Sequence, residues 1–241
     1  IIFNINVKNC IFMFGGIMKH FSIAIDGPAG AGKSTIAKKI AKELNFIYVD
    51  TGAMYRAMAL YFIRNNIDAS DKEKIKNNIN LVDISIEYID GEQQIFLNGE
   101  NVSRLIRTED VGKMASAVSV YPAVRLKLVE LQRNLASKAN VVMDGRDIGT
   151  YVLPNADLKI YLTAGTKERA RRRFLELQEK GINADIDVIE KDIIDRDYRD
   201  MNRDFAPLKQ AEDAIVVDST NMTIDEVKDT IIKYFKNIIN N

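Results

Sequence analysis

Residues 22–35 read SIAIDGPAGAGKST. A short apolar stretch, Ser22–Ile25, runs into Gly-x-x-x-x-Gly-Lys-Ser between Gly27 and Ser34. Glycines there let consecutive amides turn inward around phosphate oxygens, and a helix starting at the end of the loop adds a favourable partial charge. Lys33 can reach the β and γ phosphates of a nucleoside triphosphate, and the Ser34 hydroxyl can ligate Mg²⁺. A ligand-free strand-to-helix turn would not require Lys-Ser at those positions. A dinucleotide fingerprint is excluded, because Thr35 stands where its third glycine would fall. The stretch therefore predicts a nucleoside triphosphate site, without separating a kinase from a GTPase or an ATPase.

Working outward, short apolar segments recur at Ser22–Ile25, Phe46–Val49, Val141–Met143, Leu158–Leu162 and Ile215–Val217. Most are β-branched, as strands covered on both faces are. Helical patterns separate them. Ile36, Ile40 and Leu44 share one face; Val124, Leu128, Leu131 and Leu135 share another. A last helix opens with Thr223 and Glu226 in capping-box spacing and continues through Val227, Ile231, Phe235 and Ile238. Alternating strands and helices predict an α/β fold: a five-stranded parallel sheet flanked by helices, with ligands at the carboxyl ends of its strands. Residues 82–102 break the rhythm, alternating apolar and polar with Asp90-Gly91 and Asn98-Gly99 at the turns. They predict a small three-stranded antiparallel insert. With no repeat and no low-complexity linker, the expectation is one domain carrying that insert.

The 241 residues can bury a substantial core. Lys plus Arg equals Asp plus Glu at 34 each, so no bulk field exists to hold nucleic acid or an anionic membrane. Any anion site must be built from a few placed cations and backbone amides. One cysteine (Cys10) and one histidine (His20) leave no Cys/His zinc site, and the lone cysteine fits a reducing, cytoplasmic location. Residues 1–17 carry an apolar run too short to cross a bilayer, and Met18 opens a natural-looking start. They read as an extension or disordered tail ahead of a domain at 18–241.

The chain lacks the Asn-Lys-x-Asp of a guanine-reading GTPase, and DIGT (Asp147 to Thr150) is one residue short of the switch motif. It offers instead arginines beside strand ends. In DTGAMYR (50–56), Thr51 could cap a helix and Arg56 would lie one turn inside it, within reach of a phosphate. In DGRDIGT (144–150), an apolar strand delivers Asp144, Arg146 and Asp147 to the ligand side, where an acid can hold Mg²⁺ through water and an arginine can grip phosphate bidentately. In IIDRDYRDMNRDFAP (193–207), Ile194, Tyr198, Met201 and Phe205 fall on one helical stripe, with Arg196, Arg199, Asp200 and Arg203 opposite. That charged face reads either as solvated ion pairs or as a clamp on transferring phosphate. ERARRR (168–173) reads as a solvated face.

In this order and spacing, the glycine loop, DTGAMYR, DGRDIGT and RDYRDMNR resemble the bacterial cytidylate kinases, from about Lys19 to the carboxyl terminus. The 82–102 meander resembles the enlarged monophosphate-binding insert of that type. The resemblance implies a P-loop kinase fold with an insert at about 81–103 and a short helical lid at about 166–203. It implies transfer of the γ-phosphoryl of ATP to CMP or dCMP, with Mg²⁺ carried on Ser34 and waters. Gly27, Pro28, Ala29, Gly30, Ala31, Gly32, Lys33, Ser34 and Thr35 would bind ATP. Thr51, Arg56, Arg146 and Arg203 would hold the CMP phosphate, and Ser116, Arg125 and Asp147 would read cytosine. Arg196 and Asp200 would meet the sugar hydroxyls. Lys33, Arg146, Arg196 and Arg203 would carry the catalytic charge. The implied partners are small nucleotides, with no nucleic acid, no membrane and a monomeric enzyme. Two alternatives stay open: a kinase for another small acceptor, and a nucleotide-binding regulatory protein.

Overall fold

The structure, a computed structural model, describes residues 13–14, 17–18, 20–89 and 92–240. Most of the expected extension at 1–17 lies outside the described residues; its Met13–Phe14 pairs antiparallel with Ile17–Met18, across the expected boundary. From there the chain forms β1 (Ser22–Asp26), α1 (Lys33–Leu44), β2 (Ile47–Asp50), α2 (Thr51–Arg64) and α3 (Lys72–Asn78). β3 (Ile84–Ile89), β4 (Glu92–Leu97), β5 (Glu100–Asn101), α4 (Glu109–Val118) and α5 (Pro122–Ala136) follow. β6 (Val141–Gly145), β7 (Leu158–Thr163), α6 (Thr166–Glu179), α7 (Ile186–Asn202), β8 (Ile215–Asp218) and α8 (Ile224–Ile239) complete it. The elements fall into two units. One contains Val49–Lys138 with the residues up to His20, the other Phe21–Tyr48 with Ala139–Asn241.

The second unit is built on a five-stranded sheet in the order β8-β7-β1-β6-β2. The pairings of β1 with β6, β1 with β7 and β7 with β8 are parallel. Register places Asp26 beside Gly145 and Tyr161, and Asp218 beside Thr163, so these strands end at one edge. The expected apolar strands are buried, Ile23, Ile25, Val142, Ile160 and Leu162 among them. α1 and α8 cover them with Ile36, Ile40, Val227, Ile231 and Phe235, the last in edge-to-face contact with Phe21 and Phe46. Burying a phenylalanine of this kind stabilises by about 2 kcal/mol. The Thr223–Glu226 capping box that starts α8 is formed in both directions. Ile238, expected on the buried stripe, is 40% exposed, because the inward face passes instead through Ile232, Phe235 and Ile239, which pack against this core.

The first unit pairs β3, β4 and β5 antiparallel, as the alternation predicts. Ile84, Ile86, Ile95 and Leu97 point to its buried face. Asn98 and Gly99 both take positive φ (48° and 83°), which the tight two-residue turn into β5 requires. Asp90 and Gly91 lie outside the described residues. The cap of α2 is a correction: Asp50, not Thr51, accepts from the Ala53 amide at 2.9 Å, and Thr51 is the first helical residue. A carboxylate at that position also meets the positive end of the helix dipole.

α7 turns a different face inward from the one its apolar stripe predicts. Ile194, Tyr198 and Met201 are exposed at 51%, 68% and 46%, while Ile189, Ile193, Asp197 and Asp200 are buried. Arg199 stays exposed, and the helix stops before Arg203, which caps it with extended backbone. Polar side chains can displace an apolar stripe from the inside only when each finds a charged or hydrogen-bonding partner, and here they do.

Candidate active site

The phosphate loop leaves β1 on a glycine that nothing else can replace. Gly27 has φ of 149°, and a Cβ there would lie 1.9 Å from the Leu162 carbonyl oxygen. Gly30 and Gly32 also adopt positive φ, and Gly32 is the N-cap of α1. Lys33 opens the helix and folds back to donate to the Pro28 carbonyl at 2.6 Å. Burial, and next the Arg146 charge, push its pKa well below the ordinary lysine value, against Asp144 and Asp26. An anion delivered to this loop would reverse that disfavour.

Ser34, one residue on, donates its hydroxyl to Asp144 Oδ2 at 2.8 Å. Tyr48 donates to the other oxygen at 2.9 Å. The predicted Mg²⁺ hydroxyl and the predicted strand-end acid are thus side by side. Past Asp144, the backbone turns through Ile148–Val152, and Asp26 accepts from the Ile148 and Gly149 amides at 2.8 and 2.7 Å. Burial nevertheless raises the Asp26 pKa to about 6.

Three of the predicted acceptor residues meet around Asp200. Arg146 Nε donates to its Oδ2 at 2.9 Å, and Arg203 Nη1 lies 3.8 Å from its Oδ1. Arg203 Nη2 also approaches Asp147 Oδ1 at 3.5 Å. Burial opposes the Asp200 charge, but Arg146, Arg196 and Arg203 hold its pKa below the ordinary range. Burial likewise opposes the Arg146 charge, and Asp200 outweighs it, leaving the arginine firmly cationic. Arg196 belongs with them, one helical turn before Asp200 on α7. One anionic residue thus holds a group of arginines in place.

The other predicted residues belong to the first unit. Thr51 is buried at the start of α2. Arg56 donates to the carbonyls of Ile106 and Thr108 at 3.3 and 3.5 Å. Asp50 is paired with Arg107 at 3.2 Å. Arg125 is 1% exposed, donates to the Ser119 carbonyl and sits 5.4 Å over the Tyr55 ring. Ser116 is half-buried on α4, and its carbonyl accepts from Ser119.

Sequence reading missed Asp26, Tyr48, Arg169 and Asp197. Tyr48 looked like sheet core. Arg169 sits in ERARRR, expected to be solvated, yet it is 6% exposed, and Arg172 reaches Ser219. Only Arg171 and Arg173 of that run lie on the solvated face. No spacing sets Arg169 apart from its neighbours in the run; what buries it is its contact with the Ala29 carbonyl and with Asp197.

A buried lysine on a glycine loop, a serine–carboxylate pair beside it and arginines drawn together by Asp200 form an arrangement able to bind phosphate groups. A family model described as cytidylate kinase matches residues 23–237. Curated cytidylate kinases are similar throughout: that of Caldicellulosiruptor bescii is 52% identical over 93% of this chain and 99% of its own. That of Lactobacillus johnsonii is 53% identical over 88% of this chain and 92% of its own. The chain belongs to the cytidylate kinase family. Among solved structures, an uncharacterized protein from Eubacterium ventriosum shares the fold at a TM-score of 0.52 and 13% identity, covering 90% of this chain and 99% of that one.

Proposed function

We propose that this chain transfers the γ-phosphoryl group of ATP to CMP or dCMP, giving ADP and CDP or dCDP. The observation that carries the reading is the Asp200-centred group of arginines in the same unit as Lys33. Two anionic substrates must be brought together, and each needs its own cations. Gly27 to Thr35 hold the ATP phosphates, with Lys33 on the β and γ oxygens. Ser34 with waters would hold Mg²⁺, Asp144 lying beside it at 2.8 Å as a second hard oxygen donor, and the ion would supply neutralisation of the ATP phosphate charge. Among the described residues no cluster of three His, Cys, Asp or Glu could hold a metal alone. A site completed by waters and substrate is the usual choice for this ion.

Thr51, Arg56, Arg146 and Arg203 take the CMP phosphate, and Ser116, Arg125 and Asp147 take the cytosine. Asp147 accepts from the exocyclic amine that uracil lacks. Arg196 and Asp200 take the sugar, with Arg196 adding charge to the transferring group. No strong general base is needed, because the acceptor phosphate is already anionic. The insert at 81–103 and the lid at 166–203 exclude water, the competing acceptor. The proposed enzyme is a monomer, and its single cysteine fits a cytoplasmic location. ADP release in a coupled assay with ATP·Mg²⁺ tests the proposal, comparing CMP, dCMP, UMP, AMP, GMP and no acceptor. Turnover confined to CMP and dCMP is expected; preference for another monophosphate would overturn the base assignment.

A further inference from the structure

We propose that Arg169 and Asp197 are positioning residues that set the phosphate loop against the acceptor arginines. The proposal rests on the phosphotransferase reading above. Ala29, inside the loop, has both its peptide groups tied. Its N–H donates to Asp197 Oδ1 at 2.9 Å, and its carbonyl accepts from Arg169 Nη1 at 2.8 Å. The two partners form an ion pair with side chains 7% and 10% exposed. Arg169 spends its other donors at the start of α6, on the Ala164 carbonyl at 2.9 Å and Thr166 Oγ1 at 3.0 Å. The next loop residue is packed just as closely: a Cβ on Gly30 would lie 3.2 Å from Arg169 Cβ and 3.7 Å from Ile193 Cδ1.

Asp197 also sits on α7 between Arg196 and Asp200, and neighbours on one helix move as a rigid body. Asp200 grips Arg146 at 2.9 Å. A continuous set of bonds therefore runs from Ala29 through Asp197, α7 and Asp200 to Arg146. One end belongs to the loop for the donor phosphates, the other to the cations for the acceptor. Stability does not explain the arrangement, because a buried ion pair is often replaceable by apolar residues at no loss. In-line transfer does explain it, since an error of about 1 Å in placement can lower the rate roughly 100-fold.

The test replaces both partners together, R169M/D197L, so that no buried charge is orphaned. Expected are a Tm within a few degrees of the wild type and KM values for ATP and CMP within about three-fold. kcat should fall roughly 100-fold. Wild-type kcat in this variant would overturn the proposal. Should the double variant not fold, Arg169→Lys decides: it keeps a charge beside Asp197 but lacks the planar fork that reaches Ala29 and Ala164 together. Its kcat should fall about ten-fold with KM unmoved, and a wild-type kcat would again overturn the role. Hydrogen exchange over residues 27–34, measured without nucleotide, reads the clasp independently of any acceptor. Faster exchange in either variant is expected, and unchanged exchange refutes the clasp even if the wild type proves to prefer another substrate. Absence of CMP turnover by the wild type, with exchange responding as expected, would refute the proposed substrate alone.

Discussion

Replacing Asp26 with asparagine tests how the sheet edge is held. The carboxyl is 4% exposed, and burial raises its pKa from the ordinary 3.8 to about 6, in spite of the Gly149 and Ile148 amides that favour its charge. An acid whose folded value exceeds its unfolded one binds its proton more tightly in the folded chain. Its contribution to stability is full below the unfolded value and is lost as pH rises through the folded one, a window from about pH 4 to just above pH 6. At 1.36 kcal/mol per unit, the difference between 3.8 and about 6 corresponds to about 3 kcal/mol. Asparagine does not titrate, and its amide would face one of the two N–H donors, so Asp26→Asn loses a hydrogen bond at every pH, costing about 1–3 kcal/mol. Urea unfolding of both proteins at several pH values supplies the assay. The stability of wild type minus variant should fall by about 3 kcal/mol across that window. Groups out of reach of Asp26 are common to both and cancel, whereas Lys33, which feels its charge, changes with it. A flat difference, or one that grows with pH, would refute the assignment of burial as the dominant cause.

Gly27→Ala should fold poorly and bind a fluorescent ATP analogue at least ten-fold more weakly, because its Cβ meets a backbone oxygen at 1.9 Å that no side-chain rotation relieves. Unchanged affinity would mean that the loop is not fixed as described. Asp147→Ala should lower kcat/KM for CMP roughly 100-fold while leaving the KM for ATP within three-fold, as loss of a buried polar contact does; equal loss for both substrates would sink its base-reading role. Ser34→Ala, removing the hydroxyl that meets Asp144 at 2.8 Å, should raise the Mg²⁺ concentration needed for half-maximal rate by about ten-fold, and an unchanged Mg²⁺ titration would count against it. Thr223→Ala should cost about 1 kcal/mol of stability by breaking the capping box, with steady-state kinetics untouched.

Much of this protein is written locally. The five parallel strands, the glycine loop, the Asn98-Gly99 turn and the Thr223 capping box all depend on residues within a few positions of one another, where steric and hydrogen-bonding preferences act directly. Arg146 and Asp147 are legible as candidates because they follow a strand end, whereas Asp200 is singled out by the family resemblance rather than by its helix. Periodicity failed on α7. Ile194, Tyr198 and Met201 satisfy an apolar stripe, yet Asp197 and Asp200 occupy the inside, since Arg169 and Arg146 reach them from distant parts of the chain. Nothing local marks Asp26, just beyond the apolar stretch Ser22–Ile25, or Tyr48, inside Phe46–Val49; only the folded sheet brings them to Gly149 and Asp144. A carboxylate's burial depends on whether a partner arrives, and only the tertiary structure decides that.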